Sequence, residues 1–212
     1  MIEAHESGDA ARAWSYRPPS SVWLAGTGTL LIVAVLGAQL GADDAGKALR
    51  GLPWYGLAGL LLWAAVWRPR VLVADDAVTL VNPLRTVTVP WAAIITVETR
   101  FAFALRTPGG KHTAWAGPGP GRHQALSATG SDLRAVPASA RDSRGAVNIG
   151  DLPVAPSGVI AAQVRRRWAA LAESGALAIG EADTVPVRVE WHRGTLAAVG
   201  LLALLCVLSF TV

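Results

Sequence analysis

The chain has 212 residues, 19 lysines and arginines against 15 aspartates and glutamates, and one cysteine. Hydrophobic residues make up 52% and charged residues 16%, with a mean hydropathy of +0.38. Soluble domains carry roughly 25% charge, so the composition excludes a disordered chain, a collagen and a disulfide scaffold, and makes a purely soluble protein a poor fit.

In chain order, residues 1–21 read as an N-terminal tail and residues 22–67 as a two-helix transmembrane hairpin. Residues 68–193 read as a small β domain with a long insertion at about 117–157, and residues 194–212 as a C-terminal transmembrane helix. Three uncharged runs carry the helices: residues 18–42, 51–67 and 194–212, of 25, 17 and 19 residues. About 20 helical residues cross a ~30 Å hydrocarbon core. Trp23, Trp54, Tyr55, Trp67 and Trp191 lie near the run ends, where aromatic rings favour the headgroup layer. Arg17, Arg50, Arg68, Arg70 and Arg193 flank them and can snorkel outward. Pro53 suits a first helical turn. A cleaved signal peptide fits the first run less well, because it exceeds the usual apolar length of about 7–15 residues and Leu40 stands where cleavage after Ala42 needs a small side chain. Buried core helices would show a polar stripe, and residues 194–212 have none.

Residues 43–50 join the hairpin with two basic residues. The tail and the β domain share the other side, with Arg12, Arg17, Arg68, Arg70, Arg188 and Arg193 near the membrane. This bias predicts a cytoplasmic tail and domain and an external C-terminus. Cys206, within an apolar helix, offers no intrachain disulfide.

From Arg70 the pattern shifts to short strands at residues 71–74, 78–81 and 86–89, broken at Asp75-Asp76, Asn82-Pro83 and Pro90. Residues 97–106 alternate as one strand, with Val97, Thr99, Phe101, Phe103 and Leu105 on one face. A turn at 107–111 returns residues 112–116, so five strands form an antiparallel meander. Residues 117–157 read as an irregular insertion, with strands conceivable only at 122–127 and 146–152. Residues 157–177 read as a helix capped by Ser157, with Ile160, Val164, Trp168 and Leu171 as its apolar stripe and Gly175 near its end. Val185, Val187, Val189 and Trp191 then alternate along a last extended segment.

The stretch RPRVLVADDAVTLVNPLRTVTVPWAAI, following a two-helix hairpin, resembles the bacterial pleckstrin-homology-like family, as do RRRWAALAESGAL and VRVEWHRG. Within that family the chain resembles the small membrane-anchored actinobacterial proteins labelled low-molecular-weight antigen 6. The resemblance covers residues 20–116 well and 157–212 loosely. It implies membrane α-helices plus a small, mainly antiparallel β domain, a PH-like partly open barrel with a capping helix, held at the cytoplasmic membrane. The family has no common activity, so none carries over.

Catalytic and cofactor signatures are missing from the sequence. Gly117-Pro-Gly-Pro-Gly121 loses two phosphate-binding amides to prolines, and Gly109-Gly110-Lys111 is followed by His112 where a P-loop needs Ser or Thr. His5, His112, His123 and His192 lack ligand spacing, which leaves no metal site. No Gly-x-Ser-x-Gly elbow occurs. Asp75-Asp76 occupies the loop through which many eukaryotic PH domains bind phosphoinositides, and two acids repel phosphate. Arg165, Arg166 and Arg167 form the densest basic cluster, read either as a lipid or partner contact or as a solvated helix face. Gly37 and Gly41 form a Gly-x-x-x-Gly suited to packing within the hairpin. The domain lacks the aromatic-basic stripe of a nucleic-acid binder.

These features predict a non-enzymatic, multi-pass plasma-membrane protein without cofactor. It would present a cytoplasmic domain for protein–protein contact at the cell envelope. Its partners would be membrane lipids and an unidentified membrane or cytoplasmic protein. A lipid-headgroup or small-ligand sensor, or an accessory subunit of a transporter, remains the alternative.

Overall fold

The structure, a computed structural model, describes residues 14–41, 45–121, 148–177 and 182–209. The uncharged runs fold as α1 (Pro19–Gly41), α2 (Ala45–Leu62, prolonged by a π-helical turn over Trp63–Trp67) and a final apolar helix over Arg193–Leu208. Pro19–Gly41 and Gly46–Trp67, at 23 and 22 residues, are long and apolar enough to cross a membrane by length and composition. The final helix has 16 residues, about 24 Å at 1.5 Å per residue, and is shorter than a full span.

α2 lies between the other two. Gly28 of α1 faces Leu62, and Gly56 of α2 faces Leu202. Small residues occupy the contacts: Ser21, Ala25, Ala48, Ala64 and Cys206 are buried, while Val22, Leu24, Leu30, Leu31, Val33, Leu201 and Leu204 point outward. A helix of a soluble core shows the reverse arrangement. Gly37 and Gly41, expected to pack within the hairpin, have nothing within 4 Å of a Cβ built on them. Close approach occurs at the domain end of α1 instead.

The hairpin connection is shorter than predicted. α2 begins at Ala45, so Lys47 and Arg50 stand on the helix and Pro53 lies inside it rather than in its first turn. Ala, Lys, Leu and Arg are strong helix formers, and they carry the helix outward past the uncharged run.

The described residues of the domain form two antiparallel sheets. The first has the order β1 (Trp14–Tyr16), β2 (Arg70–Val73), β3 (Ala77–Val81), β4 (Arg85–Pro90), β8 (Arg188–Trp191). The second has β5 (Thr96–Glu98), β6 (Ala102–Thr107), β7 (Gly110–Pro118). The residues expected to form a plain tail therefore supply an edge strand, with Ser15 opposite Leu72. Alternation in β2 to β4 buries Val71, Val73, Val78, Leu80, Val87 and Val89 in one core with Phe103, Leu105, Ile160 and Val164. After Pro90 a 3-10 turn over Trp91–Ala93 drives Trp91 into this core, where its Nε1 donates to Ala74 O at 3.2 Å.

The single strand predicted over 97–106 is a hairpin. Val97 lies opposite Leu105, and the chain reverses through Thr99, Arg100 and Phe101. Thr99, Phe103 and Leu105 are buried as expected, but Phe101, at the reversal, is 77% exposed. The alternation continued across a turn that contains no Gly, Pro or Asn, which hid the break.

β7 extends to Pro118, into the expected insertion. Residues 122–127, one of the two places where a strand was conceivable, lie outside the described residues. In the other, the described part carries a 3-10 turn over Ile149–Asp151 instead. Helix α3 (Pro156–Glu173) packs its expected stripe on both sheets, with Ile160 and Val164 fully buried and Trp168 and Leu171 partly so. The final apolar helix is α4 (Arg193–Leu208).

Ser157, predicted to cap α3, lies within its first turn, because Ala155 is the cap residue and Pro156, lacking an amide hydrogen, opens the helix. Its Oγ donates to Gly150 O at 2.7 Å and holds the 3-10 turn against the helix. Two glycines permit this packing. A Cβ at Gly150 would overlap Thr99 O, and one at Gly158 would overlap Leu152 O. Arg165 closes the arrangement: its guanidinium donates to Asp151 Oδ1 at 2.6 Å and Val97 O at 3.2 Å.

The Arg165–Asp151 side chains are only 16% and 4% exposed. Breaking a buried pair strands the remaining charge, so R165M should cost about 3 kcal/mol in urea unfolding of the detergent-solubilised protein. R165M/D151N should recover a substantial part. Gly158→Ala should cost about 1–3 kcal/mol by overpacking, whereas Gly200→Ala, with nothing within 4 Å, should melt within a degree or two of the parent.

Candidate functional site

The helices enter the domain at one end. β1 leads into α1, α2 leads into β2, and β8 leads into α4. Arginine–indole pairs surround this junction. Arg17 lies 4.7 Å from the Trp67 ring centroid, Arg68 5.0 Å from Trp63, and Arg85 5.6 Å from Trp191. Arg68 also donates to Thr195 Oγ1 at 3.0 Å, linking the end of α2 to the start of α4. Guanidinium groups over aromatic faces gain about 0.5–1 kcal/mol when exposed and more when desolvated.

The π-helical turn contributes a further contact. Arg68 N bonds Trp63 O at 2.8 Å, five residues back. The carbonyls of a last helical turn lack partners within the helix, and Ala65 O accepts the Trp115 indole N–H at 2.7 Å. Asn82, at the β3–β4 turn, joins the two sheets: its Nδ2 donates to Thr113 O at 2.9 Å and its Oδ1 accepts from Trp115 N at 2.7 Å. The side chain is nearly buried with both ends of its amide engaged. β7 is thereby held against both the first sheet and the helix end.

A cavity of about 610 Å³ opens at this junction. Its walls include Ala65, Leu84, Phe101, Ala102, Trp115 and Trp191, with Arg85 as the charged group. Among the described residues Arg85 has no ion-pair partner within 4.0 Å. Nearby, burial pushes the His112 imidazole below its ordinary pKa, and the Arg85 charge adds to the effect. On the opposite edge of the second sheet, Glu98 accepts from Lys111 Nζ at 2.6 Å and Arg106 Nε at 2.9 Å. Chiefly the Lys111 bond holds its carboxyl below the usual range. Burial raises the Tyr16 phenol.

Of the residues expected at a membrane interface, Trp67, Arg68, Trp191 and Arg193 gather at the junction, and Arg70 begins β2 beside them. Trp23 is on the second turn of α1, exposed, towards the same end. Trp54 is not at a helix end, because α2 starts nine residues earlier; its Nε1 donates to Ser209 Oγ at 3.2 Å, at the end of α4. Arg165, Arg166 and Arg167 share no common surface. Arg165 serves Asp151, Arg167 pairs with Asp75 of the acidic turn, and Arg166 is exposed.

Sequence reading missed Arg85, Asn82, Phe101 and Trp115. Only Trp115 carried a signal, as a large aromatic on the exposed face of a strand. Among the described residues no three His, Cys, Asp or Glu side chains stand together as metal ligands.

Residues 68–155 match the family model described as bacterial PH domain (bPH_6). The antiparallel sheets and the helix packed on them agree with that match. No curated protein and no solved structure matches the chain. The matched segment is thus similar to bacterial PH domains, and it contains β2 to β7, the strands that carry most of the cavity wall.

Proposed function

We propose that this is a non-enzymatic integral membrane protein that presents a PH-like domain on the cytoplasmic face for protein–protein contact at the cell envelope. One observation carries the reading: apolar helices with small side chains inside and large ones outside run directly into the strands of the domain. The domain is then fixed against the bilayer and leaves its far surface to partners. The resemblance to the antigen 6 branch supports the same arrangement.

Pairing of β1 with β2 supports a topology in which α1 and α2 cross as a hairpin. α4 then leaves from the same side and ends outside. The basic residues near the junction favour a cytoplasmic position for that side. A reporter fused after Val212 should read as external, and one inserted after Gly121 as cytoplasmic; the opposite pattern overturns the orientation. Cross-linking in native membranes followed by detergent pull-down should enrich a specific protein over a control lacking residues 68–193. Recovery of the same proteins with and without those residues overturns the interaction role.

A further inference from the structure

The cavity at the helix–domain junction combines two features that an interaction module does not need. The first is a cluster of large apolar side chains exposed to solvent. Phe101 is 77% exposed, Trp115 60% and Trp191 54%, and Leu84 is exposed beside them. These four line one cavity with Ala65, which belongs to the last turn of an apolar helix, and Trp191 stands two residues before α4 begins. Solvent-exposed patches of this kind mark a surface that something apolar covers. The second feature is Arg85. It lies at the cavity wall over the Trp191 ring and without an ion-pair partner among the described residues. Asn82 has spent both ends of its amide on the β7 backbone, and Thr113 brings only an uncharged hydroxyl to the same wall. An occupant therefore meets apolar walls and one free cation.

We infer that this cavity binds a single anionic glycerophospholipid, its phosphate on Arg85 and its glycerol and upper acyl carbons among Leu84, Phe101, Trp115 and Trp191. The volume of about 610 Å³ lies within the range of ligand sites, roughly 300–1,000 Å³. The wall is continuous with the helices at both Ala65 and Trp191, so a lipid enters from the bilayer edge without crossing water. Arginine suits the phosphate because its planar fork donates two hydrogen bonds at once. The inference rests on the membrane-anchored reading above.

The test uses the full chain, purified in mild detergent and stripped of lipid, with binding followed by native mass spectrometry. Phosphatidylglycerol should bind one per chain and about tenfold more tightly than phosphatidylcholine, the size of a charge-assisted hydrogen bond. R85Q should weaken phosphatidylglycerol by about tenfold and phosphatidylcholine, whose phosphate charge is offset by its own choline, by much less, so that the preference is lost. A102F, which fills the cavity from its β6 wall, should weaken both lipids. Melting curves check that each variant is folded, and R85Q alone decides the outcome if A102F is not. Equal phosphatidylglycerol binding by wild type and R85Q overturns the site. Full displacement by millimolar glycerol 3-phosphate overturns the lipid in favour of a soluble phosphate. Extraction of the wild-type chain from membranes by carbonate, without detergent, overturns the anchored reading and the lipid site together. A membrane-retained protein with unaltered variants overturns the lipid site alone.

Discussion

The pairing of Trp14–Tyr16 with Arg70–Val73 governs the rest of the molecule. It joins the strand before the helical hairpin to the strand after it, across more than fifty residues of chain. Both ends of the hairpin must therefore emerge at the same place, whatever the charges around them. β8 adds a second constraint of the same kind. It pairs with β4 and runs through His192 into α4, so the third helix departs from the same sheet. Each helix begins or ends within three residues of a strand, and a helix cannot tilt freely when its neighbouring residues are held in a ladder. The flanking side chains add to this: His192 Nε2 and Thr86 Oγ1 lie 2.9 Å apart, fastening the last extended residue to β4.

The second sheet depends on different contacts. It is only three strands wide, and hairpins of that size gain independent stability chiefly by packing a face against something else. Three anchors supply that here. Asn82 ties β7 to the β3–β4 turn, α3 covers β6 and β7 with Ile160 and Val164, and Arg165 reaches the edge of β5 at Val97 O. The last contact also addresses the free edge. β5 borders the sheet, and an unpaired edge invites another strand. A guanidinium bonded to a carbonyl of that edge, itself held by buried Asp151, blunts it.

What was legible in the sequence follows from how local each signal is. The three apolar helices rest on the length of their uncharged runs, and β2 to β4, the return of β7 and the stripe of α3 on periodicity within one element, and all are present. The missing features needed distant information. Trp14-Ser15-Tyr16 is too short to show a period and becomes a strand only because β2 is there to receive it. The reversal at Thr99–Phe101 carries no turn residue, so alternation ran through it undetected. The arginine run at 165–167 looked like one cluster, but successive helical residues point about 100° apart, and Asp151 and Asp75, far away in sequence, claim two of the three. The cavity belongs to the same class. Leu84 and Phe101 carry no signal of their own, Trp115 and Trp191 stand out only as single aromatics, and only the fold assembles the four.

The three arginine–indole pairs take the argument one step further. Arg17 follows β1 and meets Trp67 at the end of α2. Arg68 follows α2 and meets Trp63 and Thr195 of α4. Arg85 opens β4 and meets Trp191 ahead of α4. The first and third pairs thus join segments that the chain order separates, Arg68 does so through its bond to Thr195, and together they surround the point where helices become strands. A guanidinium here has two demands to satisfy, since its head needs polar surroundings while its stem can cover apolar surface. An indole has the same split character. Placing one over the other satisfies both at the boundary between an apolar helix bundle and a hydrated domain. In the third pair the arginine also stands on the wall of the cavity lined by Leu84, Phe101 and Trp115.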